Sequence, residues 1–146
     1  SEMCIRDRYI DAGSDIITVH IEACNHLDRT LSYIKSKGCK AGVAINPHSD
    51  ISFLENVLDE IDLILIMTVN PGFGGQKFIQ SMLKKIALTK TLIDDRDILL
   101  EVDGGISPLN SKDVINAGAN VLVAGSSIFS SNRNANYSKN IAALRN

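Results

Sequence analysis

One carboxylate in the sequence is a candidate for acid/base chemistry. Asp103 follows the apolar run Ile98–Val102 and precedes Gly104-Gly105. A carboxylate at the tip of a buried strand is costly unless a metal ion or a hydrogen-bond donor compensates for its lost hydration. Catalytic groups are often found in such environments, because burial shifts their pKa. The structural alternative is an Asp that caps the following turn.

Two glycine-containing loops have the composition of phosphate-binding loops. The first is Val69–Gln76 (VNPGFGGQ), where Gly72, Gly74 and Gly75 leave backbone N–H groups open to an anion. The second is Gly125-Ser126, a tight turn after an apolar run, whose N–H groups would suit a phosphate. Asn-Pro and Gly-Gly are also ordinary turn sequences, so a plain flexible connection is the alternative for the first loop.

The remaining candidates carry weaker signals. His20 ends an apolar run and has Glu22 nearby, but a lone His at a strand end is more often structural. His26 at a helix start and His48 in a turn are predicted to be exposed. Met67, at the end of another run, either lines a pocket or fills the core. The sequence contains no H-E-x-x-H, P-loop or G-x-S-x-G motif, which excludes the zinc-protease, nucleotide-hydrolase and serine-hydrolase interpretations.

The elements that must position these residues alternate between short apolar runs and amphipathic segments. The runs are almost continuously apolar, as in strands buried on both faces of a parallel sheet. Spacings of three and four, as in Leu27, Leu31 and Ile34, predict intervening helices. The predicted strands are Ile16–His20, Ala41–Ile45, Leu63–Met67, Ile98–Val102 and Val121–Ala124. Further helices are predicted around Leu54, Val57 and Leu58, from Ser107-Pro108 to Ala117, and around Tyr137, Ile141 and Leu144.

This order of elements predicts an α/β fold with parallel strands, since no hairpin signal separates the runs. A doubly wound sheet and part of a (β/α)₈ barrel both fit the pattern. A complete barrel is excluded by length, because it needs upwards of about 200 residues and the sequence has 146.

Composition narrows the function classes. A sequence that is 45% hydrophobic with a net charge of −2 predicts one globular domain, and it lacks the basic cluster of a nucleic-acid-binding protein. The apolar runs fall short of the roughly 18–20 residues that span a bilayer. The odd, widely spaced set Cys4, Cys24 and Cys39 predicts thiols in a reducing compartment. No signal segment is recognisable, so we expect a soluble, cytoplasmic protein.

Several motifs, in register, resemble the ribulose-phosphate 3-epimerase family. The resemblance extends from about Ile10 to about Phe129. Its segments are ITVH at Ile17–His20 with Glu22-Ala23, HLDRTL at His26–Leu31, GCKAG at Gly38–Gly42, MTVNPGFGGQ at Met67–Gln76, EVDGG at Glu101–Gly105 and VAGS at Val123–Ser126. The family is a (β/α)₈ barrel that interconverts D-ribulose 5-phosphate and D-xylulose 5-phosphate with one divalent metal ion, commonly zinc, iron, manganese or cobalt.

The resemblance implies a role for each candidate residue. Inversion at C3 requires an acid/base group on each side of the carbon and a metal that holds the enediolate oxygens. Asp103 is implied to be one of these acid/base groups and also a metal ligand, and Met67 to lie over the reacting carbon. The implied phosphate-binding residues are Gly72, Phe73, Gly74, Gly75, Gly104, Gly105, Gly125 and Ser126.

The sequence also departs from the family. The second acid/base Asp, two metal-binding His residues and a substrate-contacting Ser belong to the family's first three strands, and the strands found here correspond to the fourth through eighth. We therefore expect a partial barrel over 10–146 that is inactive alone and forms a homo-oligomer at full length. Residues 1–9 do not match the family and are predicted to be extraneous. Two alternatives remain open, an allulose-6-phosphate 3-epimerase and a non-catalytic phosphate-binding half-barrel.

Overall fold

The computed structural model describes residues 2–72, 75–125, 142 and 144–145, which are built around a five-stranded sheet. The strands are β1 (Ile16–His20), β2 (Lys40–Ile45), β3 (Leu63–Met67), β4 (Leu99–Asp103) and β5 (Val121–Val123), and the α-helices are α1 (Glu2–Asp11), α2 (Leu27–Ser36), α3 (Met82–Ile93) and α4 (Ser111–Ala117). All strands are parallel and follow the chain order β1-β2-β3-β4-β5. The predicted α/β fold with parallel strands is confirmed.

The strand boundaries agree closely with the apolar runs, with one shift that affects the candidate site. β4 begins at Leu99 and ends at Asp103, one residue later than predicted at each end. The shift arises because the Asp103 carbonyl accepts a hydrogen bond from the Thr68 N–H (2.9 Å), which continues the pairing of β3 with β4. Asp103 is therefore the last residue of the strand, where its backbone is held by the sheet.

Alternate strand residues face opposite sides of the sheet, and one side packs against the helices. The buried strand residues on that side are Ile17, Ala41, Val43, Ile45, Ile64, Ile66, Leu100 and Val102. Helix residues such as Leu31, Ile86 and Val114 join them in one core, and each such side chain contributes about 1.5–3 kcal/mol by its burial.

The opposite face of the sheet is more open. It carries Thr18, Leu65 and Glu101, which are exposed or partly buried, and Leu99, which is 40% exposed. The strand β2 is nevertheless buried at every position from Ala41 to Ile45, so the expectation of burial on both faces is confirmed for β2. It is wrong for β1 and β4, where alternate residues are exposed or only partly buried. In this part of the chain, the helix residues that join the core lie on the first face.

Two predicted helices differ in the structure. The segment around Leu54, Val57 and Leu58 forms two short 3₁₀ helices, Ser52–Asn56 and Leu58–Glu60, rather than an α-helix. Their i→i+3 hydrogen bonds, such as Val57 N–H to the Leu54 carbonyl (3.0 Å), suit a segment this short. The apolar spacing nevertheless identified core positions, because all three residues are buried.

The helix predicted with Ser107 as its N-cap and Pro108 in its first turn begins three residues later, so that prediction is wrong. α4 starts at Ser111 with Asn110 as its N-cap residue. Asn110 instead fixes the preceding turn, where its side chain accepts the Ser107 N–H (2.9 Å) and donates to the Gly105 carbonyl (2.9 Å). Pro108 consequently lies in this turn and not in the helix.

The structure near the two ends of the chain concerns two further predictions, the domain boundary and the last helix. Helix α1 extends back to Glu2, and the Tyr33 hydroxyl of α2 donates to the Asp7 carboxylate (2.6 Å). The domain boundary between residues 9 and 10 stays a prediction. At the other end Leu144 is helical and buried, whereas Tyr137 and Ile141 lie outside the described residues.

Candidate active site

The carboxyl ends of the strands enclose a cavity of about 440 Å³. Its lining residues are His20, Met67, Val69, Asn70, Pro71, Gly72, Gly75, Gln76, Asp103, Gly104, Gly105, Ile106, Val123 and Gly125. The cavity thus brings together most of the residues that the sequence singled out, from four of the strand ends and the loops that follow them. Phe73, Gly74 and Ser126 lie outside the described residues, so their predicted roles stay predictions.

Asp103 lies between two apolar neighbours at this edge of the sheet. Its partner in β3 is Met67, and its partner in β5 is Val123. Burial raises the pKa of the Asp103 carboxyl above its ordinary value. A carboxyl group with a raised pKa exchanges protons more readily near neutral pH, as acid/base catalysis requires.

Glu101 is a second carboxylate on the same face of β4, two residues before Asp103. Its register partners are Leu65 and Val121, so its neighbours on adjacent strands are apolar. Burial raises the pKa of Glu101, and the charge of Asp103 adds to the effect. Sequence analysis did not single out this residue. Its signal was the i, i+2 spacing within a strand, which places both carboxylates on one face.

The first glycine loop adopts conformations that require glycine. Gly72 and Gly75 have φ angles of +140° and +75°, and a Cβ on either would meet no atom within 4 Å. The space around these two backbones is therefore open, and they line the cavity. The Gln76 side chain donates to the Asn70 carbonyl (2.5 Å) across the loop.

The glycines after Asp103 are constrained by packing as well as by conformation. Gly104 has a φ of +127°, and a Cβ there would lie 2.7 Å from the Val69 side chain. Gly105 has a φ of +67°, and a Cβ there would lie 2.5 Å from the backbone nitrogen of Phe78. Both positions also line the cavity. The two loops are thus packed directly against each other, which explains the glycines without reference to a ligand.

Gly125 differs from the other cavity glycines. A Cβ at this position would meet no atom within 4 Å, and its φ lies outside the left-handed region. Local backbone geometry therefore does not require glycine here. The open space leaves room for a ligand to approach this backbone closely.

His20 lines the cavity, although the sequence favoured a structural role for it. Its Nδ1 lies 3.7 Å from Glu22 Oε2. Glu22 Oε1 accepts hydrogen bonds from the Asn46 N–H (3.0 Å) and from the Ser49 hydroxyl. Partial burial raises the pKa of Glu22, but the hydrogen bonds from Ser49 and Asn46 and the proximity of His20 outweigh it, so the pKa lies below its ordinary value. His26 and His48 are exposed, as predicted.

Lys85 of α3 anchors the loop that follows β2, and the sequence did not reveal this. Its ammonium group donates to the carbonyls of Asn46 and Pro47 (3.1 Å each). Burial lowers the pKa of Lys85, while the charges of Asp50 and Glu22 act in the opposite direction. The contacts join positions almost forty residues apart, so no local pattern could have indicated them.

The described residues do not form a metal site by themselves. Among them, no three His, Cys, Asp or Glu side chains come together in a way that could hold an ion. A divalent transition metal usually takes three or more protein ligands. Asp103 could supply one ligand, and the set that the resemblance implies is therefore incomplete within this part of the chain.

Comparison with known proteins agrees with this arrangement. The profile of the ribulose-phosphate 3 epimerase family matches residues 2–129. The chain belongs to this family. It is 54% identical over 130 residues to the ribulose-phosphate 3-epimerase of Bacillus subtilis, covering 84% of this chain and 60% of that enzyme. It is 50% identical over 141 residues to the chloroplastic ribulose-5-phosphate-3-epimerase of Arabidopsis thaliana, covering 94% of this chain and 50% of that protein.

Solved structures confirm the fold. The epimerase-family chain is similar to 3-keto-L-gulonate-6-phosphate decarboxylase from Vibrio cholerae, with a TM-score of 0.69 and 19% identity over 97% of this chain and 64% of that one. A 3-hexulose-6-phosphate synthase gives a TM-score of 0.67 at 20% identity, with 97% and 66% coverage. The five parallel strands and the helices between them are part of a (β/α)₈ barrel, as predicted. Within the part of the chain that the structure describes, no helix is long and apolar enough to cross a membrane.

Proposed function

We propose that the protein interconverts D-ribulose 5-phosphate and D-xylulose 5-phosphate by removing and returning the proton at C3. The observation that carries the proposal is the position of Asp103, at a strand end and in one cavity with glycines of three loops. The names of the two relatives support this substrate. The chain spans 50–60% of their length, so the activity belongs to the whole protein.

Asp103 serves as one of two acid/base groups. In one direction its carboxylate takes the C3 proton, and the electron pair of the C–H bond moves into the enediolate that forms with the C2 oxygen. A second acid then donates a proton to the opposite face of C3, and the carbon is inverted. Met67 and Val123 are the register partners of Asp103, and burial raises the pKa of its carboxyl group, which suits proton transfer to and from carbon.

The glycine loops bind the phosphate group through their backbone N–H groups. Gly72, Gly75 and Gly125 have open space where a side chain would be, so an anion can approach the backbone closely. Gly104 and Gly105 line the same cavity. In the whole protein Phe73, Gly74 and Ser126 complete this site, as the family motif implies.

Other components of the activity come from outside the described residues. One divalent metal ion (zinc, iron, manganese or cobalt) would take Asp103 as one of its ligands and would stabilise the negative charge of the enediolate. Its other ligands would come from the part of the family that this chain does not match. We further propose a cytoplasmic homo-oligomer that binds neither nucleic acid nor membrane.

A second candidate is a non-catalytic phosphate-binding role for the chain by itself. The observation behind it is that Asp103 is the one carboxylate of the described residues that lines the cavity, whereas inversion needs a group on each face of C3. The hexose alternative, allulose 6-phosphate, finds no support in the relatives' names, which specify ribulose phosphate.

A chimera tests the proposed activity. In it, this chain is joined to the part of the Bacillus subtilis enzyme that it does not cover, and the product is incubated with ribulose 5-phosphate in D₂O. We expect xylulose 5-phosphate with deuterium at C3, formed faster than the corresponding hexose product from allulose 6-phosphate. An active chimera that leaves C3 protonated, or that prefers the hexose, would contradict the proposal. Phosphate binding without turnover would favour the second candidate.

A further inference from the structure

Thr68 is a buried polar residue next to the candidate site that the proposed chemistry does not use. It directly follows Met67 at the end of β3, and it is 0% exposed. A buried hydroxyl costs free energy unless it is hydrogen-bonded, so its partners indicate why the position is polar.

All three polar groups of Thr68 bind the two loops of the site. Its N–H donates to the Asp103 carbonyl (2.9 Å), and its hydroxyl lies 2.5 Å from the Gly104 carbonyl and 3.1 Å from that of Asp103. Its own carbonyl accepts the Ile79 N–H (2.8 Å), which closes the base of the first glycine loop. One residue thus fixes both the catalytic strand end and the phosphate loop.

Because peptide groups are planar, these hydrogen bonds also determine the directions of the glycine N–H groups. In a trans peptide, the carbonyl of one residue and the N–H of the next point in opposite directions. Because the Asp103 and Gly104 carbonyls both point toward Thr68, the N–H groups of Gly104 and Gly105 point away from it. Both glycines line the cavity.

We propose that Thr68 is the positioning residue of the site: its hydroxyl holds the Asp103–Gly105 backbone so that two successive N–H groups face the cavity and can bind a phosphate. The inference deepens the proposed function and rests on it for the identity of the ligand. Tight packing supports it, since a Cβ at Gly104 would lie 2.9 Å from the backbone nitrogen of Val69, the residue after Thr68. The hydroxyl therefore acts on loops that are already in contact.

The test compares substitutions that differ in the hydroxyl alone. Thr68→Val removes it and keeps the shape, whereas Thr68→Ser retains it. Thr89→Val is the matched control, because Thr89 is also 0% exposed and its hydroxyl bonds within α3, to the Lys85 carbonyl (2.7 Å). If Thr68→Val does not fold, the pair Thr68→Ser and Thr68→Ala repeats the comparison with smaller side chains.

Two measurements on the purified chain are compared. Hydrogen exchange by mass spectrometry reports the backbone around residues 99–106 without ligand, and equilibrium dialysis reports binding of inorganic phosphate. We expect Thr68→Val to speed exchange in this segment about tenfold and to weaken phosphate binding about tenfold, as for one lost buried hydrogen bond. Thr68→Ser should stay within about threefold of the parent, and Thr89→Val should change neither measurement at this site.

The two measurements separate this inference from the proposed function. A parent chain that does not bind phosphate contradicts the phosphate site, and the exchange rates then decide the role of Thr68. Unchanged exchange in Thr68→Val, or equal acceleration in Thr89→Val, would overturn the positioning role. Faster exchange with unaltered phosphate binding would also overturn it, because the orientation would then be irrelevant to the ligand.

Discussion

Met67 and Asp103 are register partners at the ends of β3 and β4, so a flexible apolar side chain adjoins the one cavity-lining carboxylate of the described residues. The pairing follows from two apolar runs that end at the same edge of a parallel sheet. A thioether beside a carboxyl group displaces water and offers it no hydrogen-bond donor, which favours the protonated acid. Burial raises the pKa of Asp103, and Met67 is one of the apolar neighbours on the adjacent strands.

Replacing Asp103 by Asn tests its chemical role. The amide keeps the size of the side chain but cannot accept and return a proton at C3. In the chimera with the Bacillus subtilis segment, we expect kcat to fall by about three orders of magnitude or more. The control is Asp95→Asn, an exposed carboxylate beyond α3 that should leave kcat unchanged. Near-normal turnover by the Asp103 variant would refute the assignment.

The same substitution should stabilise the folded chain at neutral pH. Burial raises the pKa of Asp103, so ionising this carboxyl group costs more free energy in the folded state than in the unfolded state. The contribution of Asp103 to the stability of the folded chain is fully present below its ordinary pKa of 3.8. That contribution is lost as the pH rises through the higher pKa of the folded state. We expect a higher melting temperature for Asp103→Asn than for the parent at pH 7, and equal values near pH 3. Equal melting temperatures at both pH values would argue against the buried environment.

Glu22 should have the opposite pH dependence. Its pKa is lowered on balance by hydrogen bonds from Ser49 and Asn46, so its contribution to stability is present above the ordinary value of 4.5 and is lost as the pH falls. Glu22→Gln should therefore reduce the melting temperature at pH 7 and converge with the parent in acid. Exposed Glu55→Gln is the matched control and should cause no such difference. If the melting temperature of Glu22→Gln stayed below that of the parent at pH 3, the loss would come from packing and not from charge.

The cavity glycines should divide into two classes. Gly105→Ala places a Cβ 2.5 Å from the Phe78 backbone at a φ of +67°, so it should destabilise the chain by about 1–3 kcal/mol. Gly125→Val meets open space at an ordinary φ, so it should preserve the melting temperature and raise the KM of the chimera for the phosphorylated sugar. Thermal melts and steady-state kinetics check both. A Gly125 variant with unchanged KM would show that the phosphate does not approach this loop.

By itself, the chain should self-associate and lack epimerase activity. Among the described residues, β1 pairs only with β2 and β5 only with β4, so each leaves an edge without a strand partner. Such edges promote intermolecular pairing, and apolar Ile16 and Val123 on these strands are 38% and 39% exposed. Light scattering and an epimerase assay with added divalent metal check this. A monomeric, active chain would contradict both the expected association and the need for further residues.

The sequence predicted the sheet well because a buried parallel strand is a local pattern. Leu63–Met67 is apolar throughout, and its bounds were correct to the residue. Asp103 and Met67 were found for the same reason, since both lie where such runs end. The helix start at Ser107 was wrong because Asn110 uses its side chain to bind the preceding turn, a choice that depends on the Gly105 carbonyl.

Long-range contacts account for what the sequence did not reveal. Thr68 bonds residues about thirty-five positions away, and its type alone does not distinguish it from any other strand-end threonine. The packing of Gly105 on Phe78 likewise depends on how two loops meet. The amino-acid composition of neither loop specifies this packing contact.

The two faces of the sheet place different limits on substitution in this chain. Substitutions at Val43 or Ile66 alter the core and are limited by the space between strand and helix. Leu65 and Glu101, paired on the opposite face two residues before Met67 and Asp103, are partly buried and lie outside that helix-packed core. Because Glu101 already interacts electrostatically with Asp103, changes in this row can alter the surroundings of that carboxyl group while the helix-packed core stays the same.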